Sequence, residues 1–204
     1  MERDKLLNVW GYVFFIFWVI YTSIQFYRGE YDSILWFCNI TVALLAVACF
    51  QRSLKMFYFF LSIGLIFQTP WIIDWAIYFF SGFSFFNLDR IYGGEPIYIM
   101  VLTFMRHVLT VPISLVLLYW FEPKKPIKKD AMKFVLFIIV GMIISYFFGS
   151  ANLNCSRAFC APILDFSGPM YFVGWTSIIV VVSLLSLCYI IYPLHKFIRK
   201  IRFV

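Results

Sequence analysis

The chain has 204 residues, of which 63% are hydrophobic, 23% aromatic and only 13% charged, with a mean hydropathy of +0.89. A soluble domain carries about 25% charged residues, so a water-soluble enzyme, a disordered tail and a secreted disulfide scaffold are excluded, and the bilayer is the expected solvent. The net charge of +7 would suggest nucleic acid in a soluble protein, but in a membrane chain it reports the loops on one side, and no nucleic-acid partner is expected.

A helix crossing the hydrocarbon core needs about 20 mostly apolar residues, and six stretches meet that length. The first, 8–27, is rich in Phe, Tyr and Trp, lacks a small-residue cleavage site and reads as a retained anchor, not a signal peptide. It carries Gln25 near its end. The second, 33–50, opens on Leu35-Trp36-Phe37-Cys38-Asn39, and the third, 56–80, contains Gln68, Pro70 and Asp74 beside Trp71 and Trp75. Pro70 removes a backbone donor and predicts a kink near the Ile66 carbonyl.

The fourth stretch, 97–121, holds Arg106 and His107. Thr103, Thr110 and Ser114 stand four, three and seven positions from His107, so the four share one helical face, expected to point into the bundle. In the fifth, 131–148, the run Val135 to Ile144 is apolar on every face, which excludes the alternating pattern of a membrane β-strand. The sixth is 170–192. The expected architecture is all-α: a single transmembrane domain of six helices in one bundle, without an internal repeat or a separate soluble domain.

An even number of spans puts both termini on one side. Of the 17 Lys and Arg, the sets at residues 1–7, 51–55, 122–134 and 193–204 hold 13, whereas the opposite side holds Arg28, Arg90 and Arg157. The positive-inside rule then places both termini in the cytoplasm. The same rule accounts for the Lys124, Lys125, Lys128, Lys129 loop and the basic tail; contact with anionic lipid headgroups is the alternative reading of that charge.

Ionisable groups inside spans are costly and mark candidate functional sites. Counted at 1.5 Å per residue from the outer boundary, Asp74 lies roughly 9 Å deep, Cys38 and Asn39 roughly 8 to 9 Å and His107 roughly 15 Å. Asp74 and Arg106 are candidates for a neutralising pair. Gln25 and, from the loop after span five, Asn152, Asn154 and Asp165 add polar groups, so an outward-opening pocket is expected. In the same loop, Cys155 and Cys160 are candidates for a local disulfide in an oxidising compartment. With only two His in the chain, His107 and His195, no metal site and no cofactor are expected. Cys49 and Cys188 read as small apolar fillers.

Cys38-Asn39, His107 after an Arg, and Asn152, Asn154, Pro162, Leu164, Asp165, Gly168, Pro169 and Tyr171 together resemble the YwaF-like family of six-helix membrane proteins, and Leu35-Trp36-Phe37-Cys38-Asn39 with Gln68-x-x-Trp71-x-x-Asp74 more closely resembles small prokaryotic membrane proteins of unknown function. That group is distantly similar to transmembrane acyltransferases of ether phospholipids, which use a Cys and a His, and to androgen-induced membrane hydrolases of fatty-acid esters, which use a Thr and a His. The resemblance implies a prokaryotic plasma membrane and acyl chemistry on a lipid, with Cys38 as nucleophile and His107 as base. Asn39 and Gln68 are added here as candidates for orienting an intermediate or stabilising an oxyanion. Trp36-Phe37 departs from the family, which often has a His before the cysteine.

A thiol is a weak nucleophile until a base or cation activates it, so a Cys38 reaction needs His107 or Arg106 close by. The depth counts separate Cys38 and His107 by roughly 7 Å along the membrane normal. Two other readings stand beside the enzyme. One is a binder or transporter built on Asp74, Arg106 and His107; the other is a non-catalytic subunit whose polar stripe, with Thr103, meets a membrane protein partner.

Overall fold

A computed structural model describes residues 2–31, 36–84, 96–120, 128–148, 167–191, 193, 194 and 197. Its elements are helices: α1 (Glu2–Tyr27), α2 (Phe37–Phe50), α3 (Leu54–Ser81), α4 (Ile97–Trp120), α5 (Lys128–Phe148) and α6 (Gly168–Leu185), the last continued by a π-helical segment, Ser186–Ile191. Four stretches are long and apolar enough to cross a membrane: Asp4–Tyr27, Leu54–Ser81, Ile97–Leu117 and Gly168–Ile191. Phe37–Phe50 and Met132–Phe147 are shorter apolar helices. Large apolar side chains such as Ile16, Phe80, Val116, Leu136 and Phe147 stand exposed on the outside, the surface of a protein whose solvent is lipid.

The short α2 organises the interior. Its 14 residues span about 21 Å, less than the ~30 Å of hydrocarbon it would have to cross. It packs between α1 and α3, and Phe37, Cys38, Asn39, Thr41, Val42, Leu45, Ala46, Ala48 and Cys49 are all buried. A helix so enclosed begins inside the protein, and its N-cap residue, Trp36, contributes no side-chain hydrogen bond to the first turn.

Residues around α2 are sized to this packing. The inward face of α1 runs through Leu7, Gly11, Phe14, Tyr21 and Gln25, the three-, four- and seven-residue spacing of one helical stripe. Gly11 admits the Phe50 ring, which would lie 2.8 Å from an added Cβ, and Gly141 of α5 admits the Phe37 ring, 2.5 Å from one. Leu7, Phe14, Leu45, Cys49, Phe57 and Leu61 form one apolar core and Phe37, Ile63, Phe134, Ile138, Met142 and Ile179 another. Cys49 is thus apolar filling, whereas Cys188 is exposed on the π-helical segment.

α3 starts on Ser53, whose hydroxyl accepts from the Met56 amide at 3.4 Å, and ends on Gly82, whose φ of 70° turns the chain left-handed. It remains helical through Pro70. At the edge where α1 begins, Arg52 in the α2–α3 turn pairs with Asp4 at 3.3 Å. Arg28 pairs with Glu30 at 2.7 Å after the far end of α1.

Candidate functional site

Three helices carry most of the buried polar residues, and α3 is the bridge between the other two. Gln68 extends from α3 to α2, where its Nε2 donates to the Cys38 carbonyl at 3.1 Å in a fully buried contact. Gly64, one turn before Gln68, allows this approach: a Cβ there would stand 3.1 Å from the Thr41 methyl. Three residues after Gln68, the Trp71 ring lies 6.0 Å from the His107 ring of α4, tilted by 31°. Trp75 meets Phe104 edge-on at 5.7 Å. One face of α3 therefore touches both the cysteine turn and the histidine turn.

His107 has a defined proton position. Its Nδ1 lies 2.7 Å from the Thr103 carbonyl oxygen. A carbonyl only accepts, so Nδ1 carries the hydrogen and, in the neutral ring, Nε2 presents its lone pair. Nε2 is buried and has no hydrogen-bond partner among the described residues. No bond therefore joins it to the Cys38 thiol in this resting arrangement.

Arg106 supplies charge to the same region. It is only 6% exposed, and its guanidinium carbon sits 4.2 Å from the centroid of the Tyr21 ring, a cation–π contact made from α1. Tyr21 was not legible as a site residue in an aromatic-rich span; the available signal was its position four residues before Gln25, on the same stripe of α1.

The remaining candidates divide by position. Thr103, His107, Thr110 and Ser114 are all buried along α4, with the Thr110 hydroxyl donating to the Arg106 carbonyl at 2.6 Å. Asp74 is buried nearer the end of α3 and accepts from the Ser84 hydroxyl at 2.7 Å. Asn39 is fully buried, and neither its Oδ1 nor its Nδ2 has a hydrogen-bond partner among the described residues; the same holds for Gln68 Oε1 and Gln25 Oε1. Asn152, Asn154, Cys155, Cys160 and Asp165 lie outside the described residues. Among the described residues, no group of three or more His, Cys, Asp or Glu is arranged to hold a metal ion.

Chemically, the cluster offers a thiol in the first turn of a helix, an imidazole with a fixed tautomer, a buried cation, and amide groups with unused donors and acceptors. Buried polar groups are ordinarily satisfied, and leaving one unmet costs about 1 to 3 kcal/mol. Among the described residues, the side chains of Asn39, Gln68, Gln25 and His107 each keep at least one buried polar atom without a partner. No protein-family model, curated protein or solved structure matches the chain.

Proposed function

We propose that this chain is a six-span membrane protein with both termini in the cytoplasm, and that its buried polar centre carries out acyl transfer on a lipid ester. For the topology, the support is the uneven distribution of Lys and Arg, together with the Asp4–Arg52 pair, which ties the N-terminal segment to the α2–α3 turn at one edge. The two shorter helices count as spans because α2 is enclosed by its neighbours and α5 starts from a polar turn, Lys128 to Asp130.

The observation that carries the acyl-transfer reading is the His107 tautomer: Nδ1 is engaged by Thr103, which leaves Nε2 as an unoccupied base among the buried residues, which also include Cys38 and Arg106. In the reaction, Nε2 takes the thiol proton and the Cys38 sulfur attacks the ester carbonyl carbon. The carbon–oxygen bond then breaks, the leaving alcohol takes the proton from His107, and the acyl group remains on sulfur as a thioester. Water or an acceptor alcohol, activated by the same Nε2, releases it. Asn39 Nδ2 and Arg106 are the donors suited to the oxyanion. The missing thiol–imidazole hydrogen bond is expected to form as substrate enters, as catalytic contacts tighten in the Michaelis complex.

Incubation of the purified protein with a radiolabelled phospholipid in micelles tests this reading. Acyl release or transfer that falls by at least a hundredfold in both Cys38→Ala and His107→Gln supports it; full turnover by Cys38→Ala removes it. A second reading, a binder or carrier of a small polar solute, draws on the unpartnered Asn39, Gln68 and His107 atoms. It predicts saturable solute binding or flux that Asp74→Asn impairs and Cys38→Ala does not.

A further inference from the structure

The seam between α1 and α2 carries polar groups that the packing leaves unused. Gly11 of α1 meets the last turn of α2, where a Cβ would stand 2.8 Å from the Phe50 ring and 3.2 Å from the Cys49 Cβ, and the Asp4–Arg52 pair sets the start of α1 beside the end of α2. The two helices are therefore antiparallel. Eleven residues make three helical turns, about 16.5 Å, so Thr22, eleven after Gly11, and Asn39, eleven before Phe50, continue the two contacting stripes to one level. Gln25 follows Thr22 by one turn. Side chains lean toward the start of their helix, which tilts Gln25 back toward Thr22 and Asn39 up toward Gln25.

Among the described residues, Thr22 Oγ1, Gln25 Oε1 and both Oδ1 and Nδ2 of Asn39 have no hydrogen-bond partner. Gln25 is only 3% exposed and Asn39 0%. The hydroxyls of Thr110, Ser145 and Ser177 donate to the carbonyl four residues back, the usual way a hydroxyl is satisfied within a helix, and Thr22 does not share this arrangement. Thr22 also lines a groove of about 400 Å³, together with Trp18, Val19, Ser23 and Phe26.

The chemistry of this set narrows its occupant. One water takes up about 30 Å³, so the groove is roughly tenfold too large for water alone and falls in the size range of ligand pockets. Thr22, Gln25 and Asn39 are neutral and offer nothing to compensate the charge of a buried ion. Oxygens predominate among their unused atoms, so the complementary group is one that donates, such as a hydroxyl. A water-borne polyol has no use for walls of Trp18, Val19 and Phe26. Thr22 stands five residues, about 7.5 Å, below the Tyr27 end of α1, a depth that the head of a lipid reaches.

We propose that this seam binds one neutral lipid with free hydroxyls, which donate to Gln25 Oε1 and Asn39 Oδ1 and meet the Thr22 hydroxyl, while its hydrocarbon chain lies against Trp18, Val19 and Phe26. Asn39 Nδ2 stays available to an oxyanion. The test reads binding and not turnover, so this proposal and the acyl-transfer reading can fail separately.

The test is native mass spectrometry of the full chain in detergent, delipidated and titrated with monooleoylglycerol or with its dimethyl ether, which keeps the chain and the oxygens but loses both O–H donors. A net hydrogen bond is worth about fivefold in affinity. The expected result is one bound monooleoylglycerol, held about 25-fold more tightly than the ether. That preference falls about fivefold in Gln25→Leu and in Thr22→Val, returns in Thr22→Ser, and persists in Ser177→Ala, which removes an exposed hydroxyl from α6. Equal affinity of the wild type for the two lipids would leave water as the occupant of the polar groups and overturns the proposal without any variant having to fold. An unchanged preference in both Gln25→Leu and Thr22→Val overturns it too, because the hydroxyls would then be read elsewhere. So does an equal loss in Ser177→Ala. A dimer that Trp18→Ala dissociates, with the two lipids bound alike, would assign the groove to a second copy of the chain and overturn it as well.

Discussion

Gln68 of α3 donates its side-chain amide to the backbone carbonyl of Cys38 on α2, across 3.1 Å of fully buried space. The bond fixes the first turn of the shortest helix against the one that also carries Trp71 to the His107 ring. Substitution Gln68→Leu keeps approximate volume and removes the bond. Hydrogen bonds between membrane helices contribute about 0.6 kcal/mol on average and at most about 1.7. The expected loss is therefore about 0.5 to 1.5 kcal/mol, read from denaturant-dependent unfolding in detergent. A larger fall in acyl-transfer rate than this stability change explains would identify Gln68 as a positioning residue.

Asn39 has the opposite signature. It is fully buried and neither side-chain polar atom has a partner among the described residues, so the folded state carries an unmet desolvation penalty of roughly 1 to 3 kcal/mol. Asn39→Leu is expected to raise stability by about 1 kcal/mol while abolishing turnover or ligand binding, the trade of stability for function found at active centres. A melting curve and an activity assay on the same preparation check both halves. Loss of stability in Asn39→Leu would mean that the amide is satisfied in the membrane and has a structural role.

The proton position on His107 is directly measurable. With Nδ1 bound to the Thr103 carbonyl at 2.7 Å, nitrogen-15 spectra of histidine-labelled protein are expected to show a neutral His107 ring protonated at Nδ1 and bare at Nε2. The signal is assigned by its loss in His107→Gln. A ring protonated at Nε2 would remove the general base from the proposed mechanism.

Arg106 and Tyr21 form the contact that ties α1 to the polar centre, at 4.2 Å from guanidinium carbon to ring centroid. A buried cation–π contact is worth about 2 kcal/mol and an exposed one about 0.5 to 1. A double-mutant cycle of Tyr21→Leu and Arg106→Gln is expected to give a coupling energy in that range, and Tyr21→Phe is expected to be close to neutral because the ring is retained. Zero coupling would mean that Arg106 is held by its other neighbours.

The sequence carried the helices well and their interior contacts poorly, for one reason. Length and apolarity mark a span regardless of what surrounds it, so 56–80 and 170–192 anticipate α3 and α6 closely. In lipid, however, the outward face is as apolar as the core, and the pattern that would mark a buried stripe is weak. The polar exceptions show through: Thr103, His107, Thr110 and Ser114 stand out at helical spacing on an otherwise apolar helix and are all buried. Tyr21 over Arg106 and the Phe37 ring over Gly141 join helices far apart in the chain and are made of residues common elsewhere in it. For Phe37 there is no local signal, and for Tyr21 only its spacing from Gln25. The shortness of α2 was also hidden, because 33–50 is mostly apolar while the described helix begins at Phe37.

The central claim is that Cys38 becomes acylated and His107 makes this possible. Mass spectrometry of purified protein after brief exposure to a phospholipid with a labelled acyl chain tests it most directly. The account predicts an acyl group on the peptide bearing Cys38, removed by neutral hydroxylamine as a thioester is, absent in Cys38→Ala and strongly reduced in His107→Gln. Robust turnover with no adduct on Cys38, and an unchanged rate in Cys38→Ala, would contradict it.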